Sequence, residues 1–305
     1  MTSKSDTIYH VPALLDECIT GLNIQPGGTY VDVTYGGGGH SRAIMERLGP
    51  QGRLIAFDQD QDAAANALAD PRFTFVHSNF AFLRNFLRFH GVDRVDGLLA
   101  DLGVSFHHFD SGERGFSFRA DAPLDMRMNR DAAVSAATLV ATAGEDELAR
   151  ILHLYGELRQ ARRMAAALVR ARERGALTTT GQLVEAVRPL VRPAQEKKEL
   201  AQVFQALRIA VNHEMDALEA LLQQSLQVLA PGGRLVVLTY HSLEDRMVKN
   251  FVRSGNVQGV VEKDFYGRVN APLRAVNNKV IVAGEEEVAR NPRSRSAKLR
   301  VAQRV

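Results

Sequence analysis

Tryptophan is absent from the 305 residues, cysteine occurs once, at Cys18, and proline only ten times. A lone cysteine excludes an internal disulfide, a zinc ribbon and a Cys-X-X-Cys redox pair, which fits a reducing compartment. No stretch approaches the roughly 20 apolar residues that span a bilayer, and the polar segment Met1 to His10 lacks the apolar region of a secretory signal. The expectation is a soluble, cytoplasmic protein with no membrane role. Charge of one sign is also scarce. Lys and Arg number 38 against 35 Asp and Glu, a net +3, so a polyanionic partner would have to be met by local clusters.

What is present is an alternation of short apolar runs with amphipathic segments over the first hundred residues. Tyr30 to Thr34, Arg53 to Phe57, Phe73 to His77 and Val95 to Ala100 read as strands. Ser41 to Leu48, Gln61 to Leu68 and Phe80 to Phe89 read as intervening helices. That is the pattern of βαβ units and a parallel sheet. From Asp110 to about Val211 helical periodicity takes over, as in Leu148, Ile151, Leu152, Tyr155, Leu158, Ala165 and Leu168. One long helix is expected through Leu200 to Leu229, stopped by Ala230-Pro231-Gly232-Gly233. Strand character resumes at Arg234 to Tyr240, with Val280 to Val282 and Lys298 to Val305 as weaker strands. The predicted division is residues 8–110 and 211–305 for the sheet domain and 111–210 for an inserted helical domain.

The first strand runs into Gly36-Gly37-Gly38-Gly39-His40 and then a helix, which brings bare backbone N–H groups to the carboxyl edge of the sheet. One glycine would suffice for a tight turn, so four favour a bound ligand. A dinucleotide site is disfavoured because Ser41 and Arg42 stand where G-x-G-x-x-G needs its last glycine. Asp58, about 20 residues past the turn, could accept ribose hydroxyls of either cofactor class. Asp32 could orient the glycine loop, approach a cationic ligand, or simply bond nearby amides. Phe80 could pack on an adenine ring or belong to the core. Asp101, ending the fourth strand in Asp101-Leu102-Gly103-Val104-Ser105, is placed for chemistry. His241 should open onto the same crevice, although Ser242-Leu243-Glu244-Asp245 also reads as a capping box.

These pieces occur in one order with His10-Val11-Pro12-x-Leu14-Leu15-Asp16-Glu17, Glu113-Arg114-Gly115-Phe116-Ser117-Phe118 and Pro123-Leu124-Asp125-Met126-Arg127-Met128. Phe204-Gln205-Ala206-Leu207-Arg208-Ile209 and His241-Ser242-Leu243-Glu244-Asp245-Arg246 complete the series. Over nearly its whole length the chain resembles the bacterial small-subunit ribosomal RNA cytosine-N4 methyltransferases of the RsmH or MraW type. The resemblance implies an α/β fold, a Rossmann-like class I methyltransferase sheet with an inserted all-helical domain. It implies S-adenosylmethionine as cofactor, contacted by Gly38, Gly39, His40, Asp58, Phe80, Asp101 and His108. The implied substrate is a cytidine in the decoding region of 16S rRNA, in small-subunit particles; a homodimer is left open. Phe106 and the segment Gln195 to Glu199 depart from the family pattern.

Methyl transfer to an exocyclic amine develops positive charge on N4, and an acceptor for its hydrogens helps most in the transition state. Asp101 is the leading candidate, with His241 as the second catalytic residue. Leu102-Gly103-Val104 offers no aromatic to stack the base, so Phe116 or Phe118 is considered for that task beside a plain core role. Two arginine groups could meet RNA phosphates: Arg159, Arg162, Arg163, Arg170, Arg172 and Arg174, and the tail Arg290, Arg293, Arg295, Lys298, Arg300 and Arg304. His107, His108 and Asp110 lack a second ligand group at helical spacing, so no metal is expected. The rival readings are an oxidoreductase, a non-catalytic RNA-binding or ribosome assembly factor on the same fold, and an amino methyltransferase with another target.

Overall fold

The computed structural model describes residues 12–103, 114–263, 265–267, 269–277 and 279–305. His108 therefore lies outside the described residues, as do Phe106, His107 and Asp110. The chain forms two compact units, residues 1–103 with 216–305, and residues 104–215. In chain order the elements are α1 (Leu15–Leu22), β1 (Thr29–Asp32), α2 (Gly39–Met45), β2 (Arg53–Asp58), α3 (Gln61–Ala64), β3 (Phe73–His77), α4 (Leu83–Phe89) and β4 (Val95–Asp101). The helical stretch follows with α5 (Ala136–Thr142), α6 (Glu145–Leu154), α7 (Ala161–Arg174), α8 (Thr180–Val187) and α9 (Glu196–Asn212). Then come α10 (Glu214–Val228), β5 (Leu229–Thr239), α11 (Ser242–Ser254), β6 (Leu273–Ala275), β7 (Ile281–Val282), α12 (Glu285–Arg290) and β8 (Lys298–Arg304).

The first unit is built on one sheet of order β3-β2-β1-β4-β5-β8-β6, with β7 also paired to β8. Strands β1 to β5 are parallel, and β8 runs antiparallel to β5, β6 and β7. It is the Rossmann-like architecture the alternation predicts. Its central strands are buried on both faces, which is why they read as unbroken apolar runs: Leu54, Ile55, Ala56 and Phe57 of β2 are fully buried, as are Leu98, Leu99 and Ala100 of β4. Val31 pairs with Ile55 on one side and Leu98 on the other. Strand order reverses between β1 and β4, and the carboxyl ends of those two strands frame the crevice where ligands of such sheets sit.

Three features differ from expectation. The helix foreseen through Leu200 to Leu229 breaks at His213, which adopts the left-handed conformation at φ 50°. The Asn212 amide donates to the carbonyls of Met126 (2.7 Å) and Arg208 (2.9 Å), and Arg208 holds Glu214 in a two-point ion pair (2.8 and 3.0 Å). Pro231-Gly232-Gly233 does not lie outside the sheet but in the opening stretch of β5, where pairing with β4 slips between Val95 and Gly97. The strand β6, only three residues long, was not anticipated. No helix among the described residues is long and apolar enough to cross a membrane.

The second unit closes its own core around Leu148, Leu152, Leu168, Leu183, Val203 and Leu207, all buried. Phe116 belongs to this core, 5% exposed, with the Arg114 guanidinium 5.6 Å from its ring centroid. Phe118 packs edge-on against Phe204 at 5.6 Å. Phe116 is thus a core ring, while Phe118 is half-buried and packs against the same core.

Candidate active site

At the carboxyl edge of β1, Gly36 and Gly38 take positive φ (51° and 77°), a conformation that disfavours side chains. A Cβ on Gly38 would stand 2.7 Å from the Tyr35 hydroxyl, and one on Gly39 would stand 2.3 Å from Cγ of Pro12. The turn must therefore be bare at both positions, and Gly39 opens α2. Asp58, ending β2, fastens this turn from the neighbouring strand. One of its oxygens accepts the Gly36 N–H (2.7 Å) and the other the Asp60 N–H (2.8 Å). Asp32 is buried, accepting from the Ser41 hydroxyl (2.7 Å) and the Thr34 N–H (3.1 Å), so it orients the turn from beneath. Burial pushes its carboxyl up, opposed by His40, Ser41 and Thr34.

His40 follows the turn and is buried with it. Burial lowers its pKa against the pull of the Asp32 charge, which favours the neutral imidazole. Its Nδ1 lies 3.7 Å from an Asp101 oxygen, while its buried Nε2 has no hydrogen-bond partner among the described residues.

Asp101 sits at the end of β4. Its N–H donates to the Thr34 hydroxyl (2.7 Å), and its carboxylate accepts the Tyr240 phenol (2.7 Å). Tyr240 comes from just beyond β5, whose Leu238 pairs directly with Asp101. The carboxyl keeps 22% exposure, yet burial pushes it up to about 7; the Tyr240 bond works in the opposite direction, and the nearby Glu244 charge adds to the rise. Tyr240 in turn is pushed well above its ordinary value by burial and by Asp101, so it stays a donor. Sequence reasoning passed over Tyr240 because nothing in the motif distinguishes a strand-end tyrosine from a core one.

The expected capping box exists one residue earlier than foreseen. His241, not Ser242, is the N-cap of α11, and Glu244 reaches back to accept from the Tyr240 (2.9 Å) and His241 (3.4 Å) backbone. His241 Nε2 lies 3.1 Å from a Glu244 oxygen. Phe80 opens a short 3-10 turn after β3, half-buried; Asn79 caps that turn by accepting from the Ala81 N–H and also bonds Gln59 beyond β2. Gly38, Gly39, His40, Asp58 and Asp101 thus gather at the carboxyl ends of β1, β2 and β4, whose register fixes their spacing.

The two basic clusters fare differently from their sequence appearance. Arg172 Nη1 donates to the carbonyls of Val140 and Ala143, closing the end of α5, while Arg159, Arg162, Arg163, Arg170 and Arg174 are exposed. The tail has no acid of its own after Glu287, yet Asp245 from α11 accepts Arg300 (2.8 Å) and pairs with Lys298 (3.4 Å), and Arg304 donates to the Pro272 carbonyl. Half of that cluster is therefore engaged within the fold, Lys298 and Arg300 with α11 and Arg304 with the residue just before β6.

A model of the MraW methylase family matches residues 7–305. A protein named ribosomal RNA small subunit methyltransferase H from Bacteroides thetaiotaomicron is 59% identical over 301 residues, covering 99% of each chain. One of the same name from Porphyromonas gingivalis is 55% identical over 305 residues, covering 98% of each. Among solved structures, an rRNA methylase from Streptococcus thermophilus aligns with 95% of this chain and 93% of its own at 11% identity and a TM-score of 0.41, too remote to bear on the site. With a family model and relatives that span essentially the whole length, the chain belongs to the MraW methylase family.

Proposed function

We propose that this protein methylates N4 of a cytidine in the decoding region of 16S rRNA, within small-subunit particles in the cytoplasm, using S-adenosylmethionine. The observation that carries the reading is Asp101, pushed up to about 7 and gripped by Tyr240 beside the glycine turn. The residues present fit the cofactor. A bare turn that no Cβ could share, an orphan buried imidazole nitrogen and three carboxylates at the ends of β1, β2 and β4 suit a ligand with polar groups and a cationic centre. Gly38, Gly39, His40, Asp58, Phe80 and Asp101 would hold it, together with His108. When bound, it supplies an electrophilic methyl group on a sulfonium.

The chain's own part is to hold the amine and take its proton. As N4 gains a bond to carbon its two hydrogens become acidic, and an ionised Asp101 accepts one of them, most strongly where positive charge is greatest. A carboxyl near 7 is poised to be ionised at working pH and basic enough to take that proton. Tyr240 orients the carboxylate and tempers its basicity, while His241, the N-cap of α11, is the second group offered to the substrate. Incubation with labelled S-adenosylmethionine and small-subunit particles lacking the modification, followed by nucleoside analysis, tests the reading. Label is expected on cytidine N4, and label on any other position overturns it.

A further inference from the structure

The segment that leads into α1 touches the glycine turn, and its hold on the fold comes from the far end of the chain. Pro12 lies so close to Gly39 that a Cβ there would stand 2.3 Å from the proline Cγ. Against the burial that lowers the His40 pKa stand the Asp32 charge and, from this segment, the Ala13 backbone. Ala13 and Leu14 are buried, in one apolar cluster with Tyr35 of the turn and with Ala297 and Leu299 around the start of β8. One helical turn further on, burial first and then the charges of Asp101, Glu17, Asp32 and Glu287 push the Cys18 thiol up. The start of α1 is therefore within electrostatic reach of the crevice carboxylates and of Glu287 alike.

Nothing local fixes this start. Leu14 is the N-cap of α1, yet its side chain offers no acceptor, and it stands at φ 51° and ψ 39°, a left-handed conformation that a leucine seldom takes. Its carbonyl accepts the Cys18 N–H (2.9 Å), which begins the helix in the ordinary way. Its own N–H donates to Glu287 Oε1 at 2.7 Å, across 273 positions of sequence. Glu287 sits in α12, whose place is set by β7 just before it, where Ile281 and Val282 pair with Leu299 and Lys298 of β8. The Val288 N–H on the Gly284 carbonyl (3.0 Å) closes the turn that carries it. Its neighbours Glu285 and Glu286 are exposed, whereas Glu287 is half-buried with its carboxylate on a backbone amide. An amide left without an acceptor at a buried helix start is costly, so withdrawing this carboxylate loosens Leu14 first and residues 12 and 13 with it.

We propose that Glu287 is a positioning residue for the S-adenosylmethionine site: by accepting the Leu14 N–H it holds residues 12–14 against Gly39 and His40 and keeps the glycine turn in its binding shape. The inference rests on the reading that this turn receives the cofactor, and the test separates the two. Glu287→Ala removes the acceptor, Glu287→Asp keeps the charge but withdraws it by one methylene, and Glu287→Gln keeps an oxygen at the same reach. In calorimetry the first two should bind S-adenosylhomocysteine about fivefold to tenfold more weakly, and Glu287→Gln only about twofold to threefold. Should Glu287→Ala fail to fold, the comparison of Glu287→Asp with Glu287→Gln carries the test. KM for S-adenosylmethionine should rise in the same order while kcat and KM for small-subunit particles stay unchanged, a split that a general loss of stability would not produce. Amide exchange in Glu287→Asp should quicken at Leu14 and, with it, at Gly38, Gly39 and His40, and bound S-adenosylhomocysteine should slow it again at the turn. Glu286→Ala, altering an exposed neighbour on α12, should match the unaltered protein throughout. Unchanged affinity in Glu287→Asp, faster exchange confined to Leu14, or an equal loss in Glu286→Ala overturns the positioning role and leaves the reading of the turn intact. Failure of S-adenosylhomocysteine to protect the turn amides of the unaltered protein removes that reading instead, and the inference falls with it.

Discussion

Replacing Tyr240 with Phe deletes one oxygen and leaves the ring, so the perturbation falls on a single 2.7 Å hydrogen bond to Asp101. A bond to a charged group contributes about 1.5–3 kcal/mol, and each pH unit corresponds to about 1.4 kcal/mol. The Asp101 carboxyl, already up at about 7 through burial, should therefore titrate about one to two pH units higher. Because 22% of its side chain reaches solvent, water replaces part of the lost donor, which favours the lower end, about one unit. The sign follows from the role. The ionised carboxylate accepts the amine proton, so activity rises with pH through the Asp101 titration, and the variant's rise is displaced to higher pH. The assay is kcat/KM for S-adenosylmethionine against pH, which reports groups of the cofactor-free enzyme. At pH 7 the variant should be slower by about fivefold to tenfold, and by pH 9.5 the two profiles should nearly meet. A rise that stays in place would refute Asp101 as the titrating acceptor. A loss that is uniform in pH would reduce Tyr240 to a packing group.

Three further outcomes follow from the geometry. Gly39→Ala places a Cβ 2.3 Å from Pro12 and should destabilise the protein by about 1–3 kcal/mol in urea titration while weakening S-adenosylhomocysteine binding in calorimetry; an unchanged variant would mean the turn can move aside. Asp245→Asn removes the counter-charge of Lys298 and Arg300. Against burial, which pushes it up, those two cations hold the Asp245 carboxyl below the ordinary range, so its stabilisation exists above that range and fades as pH falls through its folded value. The variant should be about 1 kcal/mol less stable at pH 7, and the difference should vanish in strong acid; a gap that persists there would rule out the ion pairs as its cause. Phe116→Ala should remove about 3–5 kcal/mol from the helical unit by opening its core. A fully stable Phe116→Ala protein with lost methyl transfer would restore the ring to base recognition.

The parallel strands could be read from sequence because burial on both faces forces unbroken apolar runs, and β2 and β4 show this directly. The glycine turn, Asp58 and Asp101 were legible too, since chemistry at such a sheet edge demands bare backbone and acids at strand ends. What escaped is set by distant partners. The break at His213 depends on Asn212 finding the Met126 carbonyl 86 positions away in sequence, and no local propensity records that. The partner of Lys298 and Arg300 was hidden for the same reason, because Asp245 is remote in sequence and adjacent in space. α1 was hidden behind an unusual start, where Leu14 takes φ 51° and donates its N–H to Glu287 (2.7 Å). Tyr240 could have been suspected from strand pairing alone, had β4 and β5 been set in register.

The position of β8 between β5 and β6 constrains the order in which the molecule can be made. Parallel pairing of β4 with β5 already joins segments separated by the whole helical unit, and β6 gains its sheet partner only when residues 298–304 arrive. During vectorial synthesis the open edge of β5 must wait unpaired for more than fifty further residues, while the helical unit, whose core is assembled from one contiguous stretch, can condense early. Strand β8 thus acts as a latch. Shortening it should expose the β5 edge to pairing with other chains, so the tail is a determinant of solubility as much as of shape.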